Sequence, residues 1–136
     1  MITVVYGLAA QRCIADEITK NISAIDIIEE VVVNSLPLVF PELVLIYGFE
    51  RTTDEPSEME LSLSFKVNGI ERNSFPVSIS FQERLRTRLV MRFGGYFVTE
   101  AGALSSTLSR DGNELHEYRM RITLAELPSP TLETRQ

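Results

Sequence analysis

The chain is poor in the residues that build disulfides and metal centres. Its 136 residues include one cysteine, Cys13, and one histidine, His116. A single cysteine excludes an internal disulfide, and small secreted domains usually depend on several, so we expect a reducing, cytoplasmic setting. One histidine and one cysteine cannot form a structural zinc site without carboxylates, whose preferred ions are harder. The sequence therefore predicts neither a metal site nor a cofactor.

Glycine, proline and long apolar runs are also scarce. Seven Gly and six Pro in a chain that is 44% hydrophobic exclude a collagen-like, low-complexity or wholly disordered protein. The apolar stretch Ile2–Ala10 lacks the basic start of a signal peptide. The run Leu36–Phe49 contains Pro37, Pro41 and Glu42 and is too short to span a bilayer. We therefore predict one globular domain without a membrane segment.

Lysine is nearly absent, since only two of the thirteen cations are Lys and the others are Arg. The formal net charge is −6 and the pI is near 4.8, whereas nucleic-acid-binding domains are normally basic, which argues against a nucleic-acid partner. Residues 1–60 carry three basic and eleven acidic side chains, while residues 61–136 carry ten basic and eight acidic ones. This asymmetry favours pairing of the two halves or head-to-tail self-association.

The dominant hydrophobic period is two, which is the period of a half-buried strand. It is clearest in Met59–Val67, where apolar and polar residues alternate. Asn68-Gly69 follows and supplies the positive φ angles of a type I′ turn, so we predict a hairpin whose second strand runs to Phe81. Pro76 cannot donate to a ladder, so this returning strand either lies at the edge of a sheet or begins after Pro76, at Val77–Phe81.

Two further regions predict strands in the middle and at the end of the chain. Asp111-Gly112 joins Ala103–Arg110 to Glu114–Leu124, and these three segments form a second predicted hairpin. Leu43–Tyr47 is apolar throughout. A short continuous apolar run of this kind is typical of a central strand that is buried on both faces.

The N-terminal third is consistent with a third hairpin. Thr3–Ile14 and Ile22–Ile28 flank a turn at Lys20-Asn21. A helix over Ala24–Val33 is the alternative, although its β-branched end favours a strand.

Together these patterns predict seven to nine short strands with turns about 8–12 residues apart. We predict an all-β protein: a single-domain antiparallel β-sandwich of immunoglobulin-like type, over residues 1–124. Residues 125–136 contain two prolines and no periodic pattern, so we predict a flexible C-terminal tail there.

The order of local motifs at both ends of the chain supports the same fold. Near the N-terminus the motifs are Cys13–Asp16, Lys20–Ile27, Leu36-Pro37 and Phe40-Pro41, followed by an apolar strand. Near the C-terminus they run from Gly102 through Asp111-Gly112 to the last strand. In this order the chain resembles an uncharacterised family of small bacterial β-sandwich proteins over residues 1–124. The resemblance implies the sandwich fold and carries over no activity and no functional residue.

His116 and Cys13 are the candidates for acid–base or nucleophilic chemistry. On a regular strand His116 shares its face with Glu114 and Tyr118, and general acid–base catalysis can use such a pair. A solvated strand histidine is the simpler interpretation. Cys13 has no cation or histidine beside it in the local sequence, so we interpret it as a buried structural thiol. We predict no catalytic residue.

The acidic loop around Asp54, Glu55 and Glu58 raises the question of calcium, whose ligands are carboxylate and carbonyl oxygens. Pro56 interrupts this loop, which lacks the spaced aspartates of a dedicated calcium site. A solvated acidic loop is the simpler interpretation, and calcium binding stays open. Gly94-Gly95 lacks the lysine and the helix of a phosphate-binding loop.

A row of arginines at period two is the most distinctive feature. Arg84–Phe93 predicts a strand that ends at Gly94-Gly95, and the last strand repeats its alternation of arginine and other residues. Alternate side chains lie on one face, about 6.6 Å apart. If the two strands are neighbours, six guanidinium groups share that face. Because like charges repel, either acidic strands such as the one with Glu58 and Glu60 lie between them, or a partner's carboxylates or phosphates bind the arginines. An ordinary solvated face is the alternative. The candidate contact residues are Arg84, Arg86, Arg88, Arg92, Arg119 and Arg121.

Two classes of function are consistent with these patterns. The first is a non-catalytic protein-binding or assembly module, which contacts an acidic protein partner or another copy of itself through the arginine-rich face. The second is a small metal- or ligand-dependent enzyme with its site in loops at one end of the sandwich, around Asp16, Asp54, Glu58 and His116. The charge asymmetry and the arginine row favour the module, so we predict that the protein is not an enzyme.

Overall fold

A computed structural model describes residues 2–125 of the chain. The predicted tail at 125–136 lies, apart from Ala125, outside the described residues. Residues 2–125 form nine strands and no helix, so they contain none that is long and apolar enough to cross a membrane. The strands are β1 (Thr3–Ala15), β2 (Ile22–Ile27), β3 (Glu30–Val33), β4 (Leu38–Glu50), β5 (Glu58–Val67), β6 (Ile70–Ser80), β7 (Arg86–Val98), β8 (Gly102–Arg110) and β9 (Asn113–Leu124).

The strands form two sheets. The first sheet has the order β2-β1-β4-β7, and the second has the order β3-β9-β8-β5-β6. The all-β prediction is confirmed. The prediction of wholly antiparallel pairing is wrong at β3, which pairs with β9 in parallel. The chain crosses from one sheet to the other between β2 and β3, so no hairpin turn sets the direction of β3.

The inner faces of the two sheets share one hydrophobic core, in a sandwich-like arrangement. The first sheet contributes fully buried side chains such as Leu45 and Phe49, and the second contributes Leu63, Phe65 and others. Complete burial of one such side chain stabilises a fold by about 1.5–3 kcal/mol. The core therefore depends on both layers.

The predicted central strand is confirmed in β4, which lies between β1 and β7. Every residue of Leu43–Tyr47 has an exposed fraction of 1% or less. Leu43, Leu45 and Tyr47 belong to the core between the sheets, whereas Val44 and Ile46 belong to a second cluster on the opposite face. We call that opposite side the outer face of the first sheet.

The three predicted hairpins are confirmed. Asn68 and Gly69 have φ angles of 51° and 83°, and Asp111 and Gly112 have 51° and 81°, as a type I′ turn requires. β6 includes Pro76 and lies at the edge of the second sheet, so the predicted edge strand is confirmed and the alternative of a strand that begins after Pro76 is wrong. The N-terminal hairpin forms in place of the alternative helix.

The prediction that a strand ends at Gly94-Gly95 is wrong, because β7 continues to Val98. The register with β4 is unbroken across the glycines, but the core-facing pair changes from Leu43 and Phe93 to Phe40 and Tyr96. Both strands therefore change faces at this point, and Gly95 adopts a φ of 63°, which glycine tolerates without a steric penalty. The glycines make a corner in the strand and do not end it.

The hairpin of β1 and β2 lies over the outer face of the first sheet. Cys13 packs there with Val44 and Ile46, together with Ile22 and Ala24 of β2. Cys13 is 8% exposed, which confirms the predicted buried thiol. The N-terminal half of β1 pairs with β4 and its C-terminal half pairs with β2. β4 is buried on both faces because the second sheet covers one face and this hairpin covers the other.

Candidate functional site

The six candidate arginines do not share one face. Arg86, Arg88 and Arg92 lie on β7 in the first sheet, and Arg119 and Arg121 lie on β9 in the second. Arg84 precedes β7, so the predicted start of the strand at Arg84 is wrong. The predicted single surface depended on these strands being neighbours, and the sheet topology separates them.

The β7 arginines lie on the outer face of the first sheet, opposite residues of β4. Arg86 Nε donates to Glu50 Oε2 at 2.8 Å, and Arg92 Nη1 lies 3.7 Å from Glu42 Oε2. The side chain of Arg86 is 73% exposed, so its ion pair contributes little to stability. These carboxylates flank the row on its β4 side.

Two of the arginines reach across β4 to the β1–β2 hairpin. Arg88 Nη2 donates to the carbonyl oxygen of Lys20 at 3.1 Å, and Arg92 Nη2 donates to that of Cys13 at 3.2 Å. A guanidinium group carries five N–H donors and so can bind a carbonyl and an anion together. The arginine row thus holds the hairpin against the sheet.

An open cleft of about 630 Å³ lies between the hairpin turn and the segment that leads into β7. Its cationic lining consists of Lys20, Arg84, Arg86 and Arg88. Its other polar lining residues are Thr19, Asn21, Ser80, Gln82 and Thr87, and its apolar ones are Val5, Tyr6, Phe49 and Phe81. Guanidinium and ammonium groups beside hydroxyl and amide donors suit carboxylates or phosphates.

The hairpin turn that borders the cleft is held by Asp16. Its side chain accepts hydrogen bonds from the backbone nitrogens of Ile18 and Thr19, at 2.8 and 2.9 Å. The backbone donors of Thr19 and Ile18 lower the pKa of Asp16, because they stabilise the carboxylate. Lys20 follows with a φ of 65°. The turn thereby places Lys20 opposite Arg88.

Sequence reasoning did not find Lys20 as a member of the site. It lies more than sixty residues from the arginine row, and only the fold of the hairpin over β4 brings them together. Asp16 and Glu17 lie within four positions of Lys20, so the local sequence shows no basic patch. An isolated lysine in a turn carries no local signal of such a contact.

On the second sheet the arginines of β9 have a different setting. Arg119 Nε donates to Glu117 Oε1 on the same strand at 3.1 Å, and Arg121 lies opposite Glu30 of β3 and Ala103 of β8. Arg119 and Arg121 are exposed and face away from the core. They therefore serve as control positions, with the same charge, for the arginines of β7.

His116 faces the core. A bulge places His116 opposite Leu108 and Glu114 opposite Ser109, so the predicted shared face of His116 and Glu114 is wrong. The imidazole meets the ring of Tyr47 edge-on at 5.7 Å, and its Nδ1 is buried without a hydrogen-bond partner. Burial lowers the pKa of His116, although the charges of Glu114 and Glu117 oppose this shift. The predicted solvated histidine is half-buried.

A pH-dependent stability follows from this position of His116. Since burial disfavours the imidazolium, the unfolded chain, with a histidine pKa of about 6.5, takes up the proton more readily than the folded protein does. We expect the free energy of unfolding to be highest above about pH 6.5 and to fall as the pH decreases through that value towards the folded pKa. Urea unfolding between about pH 7.5 and 5.5 measures it. In His116→Asn this part of the dependence should vanish, and an unchanged slope would contradict the assignment.

The residues of the predicted enzyme alternative do not assemble into a metal site. Among residues 2–125, no group of three or more His, Cys, Asp or Glu side chains is placed to hold a metal ion. Asp54 accepts a hydrogen bond from Thr52, and this bond lowers the pKa of its carboxyl group. The Oε2 atom of Glu55 lies 3.4 Å from Nη1 of Arg110. The acidic loop is therefore engaged with neighbouring residues of the chain.

Comparisons with known proteins add no family to this description. No protein-family model matches the chain, and no curated protein matches it. The resemblance to small bacterial β-sandwich proteins stays a prediction. The geometry of the residues alone supports the proposal that follows.

Proposed function

We propose that the protein is a non-catalytic binding module that takes an acidic segment of a protein partner into the cleft beside β7. The observation that carries this proposal is the convergence of Lys20, Arg84, Arg86 and Arg88 on one open cleft. The chain as a whole carries a net charge of −6, so four cations in one place contrast with the rest of the molecule. Carboxylates are among the groups that bind such a cluster through charge-assisted hydrogen bonds.

The mixed lining of the cleft favours a peptide over a simple inorganic ion. Val5 and Tyr6 line the same cleft as the cations and are 48% and 41% exposed, whereas the other two apolar residues of the lining, Phe49 and Phe81, are buried in the core. The ring of Tyr6 lies over Gly48, where any side chain would collide with it, so β4 leaves room for an aromatic platform. Apolar side chains of a partner can pack there while its carboxylates meet the guanidinium groups.

The experiment measures the affinity of a labelled peptide of about ten residues, in which Glu and Val alternate, by fluorescence anisotropy. We expect Arg86→Glu with Arg88→Glu to weaken binding by about tenfold or more, since each lost charge-assisted contact is worth about 1.5–3 kcal/mol. The matched control is Arg119→Glu with Arg121→Glu, which changes the net charge equally on the other sheet. Equal losses in both variants, or no binding by the unaltered protein, would contradict the proposal.

Self-association is the other form that this binding can take, with the partner a second copy of the chain. Light scattering across a size-exclusion peak, at low and high salt, distinguishes a multimer from a monomer.

We further propose that the sandwich-like fold is immunoglobulin-like and that the protein works in the cytoplasm. Its single cysteine supports the cytoplasm, because extracellular domains of this size usually contain disulfides.

A further inference from the structure

Within residues 2–125, the outer edge of β7 lacks a neighbouring strand. β7 has 13 residues, lies last in the order of its sheet and pairs, among residues 2–125, with β4 alone. The nearest strand of the second sheet, β6, touches its beginning, where Thr87 Oγ1 donates to the carbonyl oxygen of Ser80 at 3.1 Å. A long edge strand presents a row of backbone N–H and C=O groups that can pair with another chain.

Core-facing side chains of β7 are only half-buried. Leu89, Met91 and Phe93 pack against the core cluster but keep part of their surface in contact with solvent. Phe93 contacts Phe65 and Phe75 of the second sheet, with ring centroids 5.3 and 5.7 Å away. One more strand beside β7 would cover the apolar side chains that the sheet leaves open at this edge.

The charges on β7 indicate what that strand should carry. Arg86, Arg88 and Arg92 lie on its outer face, and within residues 2–125 the ion-pair partners of Arg86 and Arg92 are Glu50 and Glu42 of β4. A second copy that paired through its own β7 would bring two rows of arginines together on one face, and like charges across a pair of strands are destabilising. A partner strand with acidic side chains would instead place carboxylates beside these arginines.

We propose that the acidic partner binds as an added strand, antiparallel or parallel to β7, along this free edge. The proposal rests on the proposed function and specifies its ligand: an extended segment in which acidic and apolar residues alternate. Its acidic side chains lie beside Arg86, Arg88 and Arg92, and its apolar side chains lie beside Leu89, Met91 and Phe93. Backbone hydrogen bonds supply affinity, and the alternating side chains supply specificity.

N-methylation of the peptide tests this mode of binding. Successive N–H groups of a strand point to opposite edges, so the alternating Glu–Val peptide is made in two forms, one methylated on every Glu nitrogen and one on every Val nitrogen. We expect one form to lose about tenfold or more in affinity, because it cannot donate to β7, and the other to bind like the unmodified peptide. Hydrogen exchange should show new protection in residues 86–93.

The outcomes separate this inference from the proposed function. If the unmodified peptide binds through Arg86 and Arg88 but both methylated forms bind equally well or equally poorly, strand addition is wrong and the acidic-partner proposal stands. If the unmodified peptide does not bind, the proposed function itself fails. A peptide-free protein that is dimeric by light scattering, with residues 86–93 protected, would make the occupant a second copy and overturn the acidic strand. In that case the arginines of β7 would not serve to bind an acidic segment of another protein.

Discussion

Replacement of Phe65 by alanine is expected to lower the free energy of unfolding by about 3–5 kcal/mol. Phe65 is fully buried, and its ring contacts Phe75, Phe93 and Tyr96 with centroids 6.3, 5.3 and 4.9 Å away. Its removal leaves a cavity between the two sheets and breaks several ring contacts at once. Because these contacts join β5 and β6 of one sheet to β7 of the other, the loss weakens the packing of both layers.

Chemical unfolding in urea, followed by far-UV circular dichroism, measures this loss. Phe97→Ala is the matched control, since Phe97 is 62% exposed and should change stability by no more than about 0.5 kcal/mol. Similar losses in the two variants would mean that the core does not lie where the sheets place it.

Substitution of Gly7 by alanine is the second large expected effect, a loss of about 1–3 kcal/mol. A Cβ atom there would lie 2.6 Å from His116 Cε1 and 2.7 Å from Cδ1 and Cε1 of Tyr47. Tyr47 cannot move away easily, because it is fully buried and its hydroxyl group is hydrogen-bonded to Ser106 at 2.8 Å. Burial raises the pKa of Tyr47 to about 12, so this hydroxyl group stays protonated at neutral pH.

Gly94→Ala is the control for backbone entropy in the same measurement. A Cβ atom at Gly94 would meet nothing within 4 Å, so alanine there should be neutral or should stabilise by up to about 1 kcal/mol through the unfolded chain. If both glycine variants behave alike, the close approach of β1 to His116 and Tyr47 does not limit stability.

Local features of the sequence predicted much of the fold. Asn68-Gly69 and Asp111-Gly112 predicted two turns, because few other residue pairs adopt two successive positive φ angles. Pro76 predicted an edge strand, because it has no backbone N–H to donate to a second neighbour. The apolar run in β4 predicted burial on both faces. Each of these inferences depends on residues adjacent in the chain, where turn chemistry and side-chain alternation act directly.

The candidate site was less predictable, because it depends on which strands become neighbours. β7 and β9 carry the same arginine pattern, yet one lies at the edge of the first sheet and the other lies inside the second. A single-residue bulge turned Glu114 away from the face of His116. Gly94-Gly95 suggested an end to the strand, whereas their partners in β4 let the ladder continue through a corner.

The parallel pairing of β3 with β9 has a consequence for the order of events during synthesis. It joins residues as far apart as Glu30 and Thr123, which are 93 positions apart and hydrogen-bonded at 2.9 Å. On the ribosome β3 therefore has no partner strand until almost the whole domain has emerged. Since contacts of such long sequence separation slow folding, we expect the second sheet to gain β3 only after β9 has been translated.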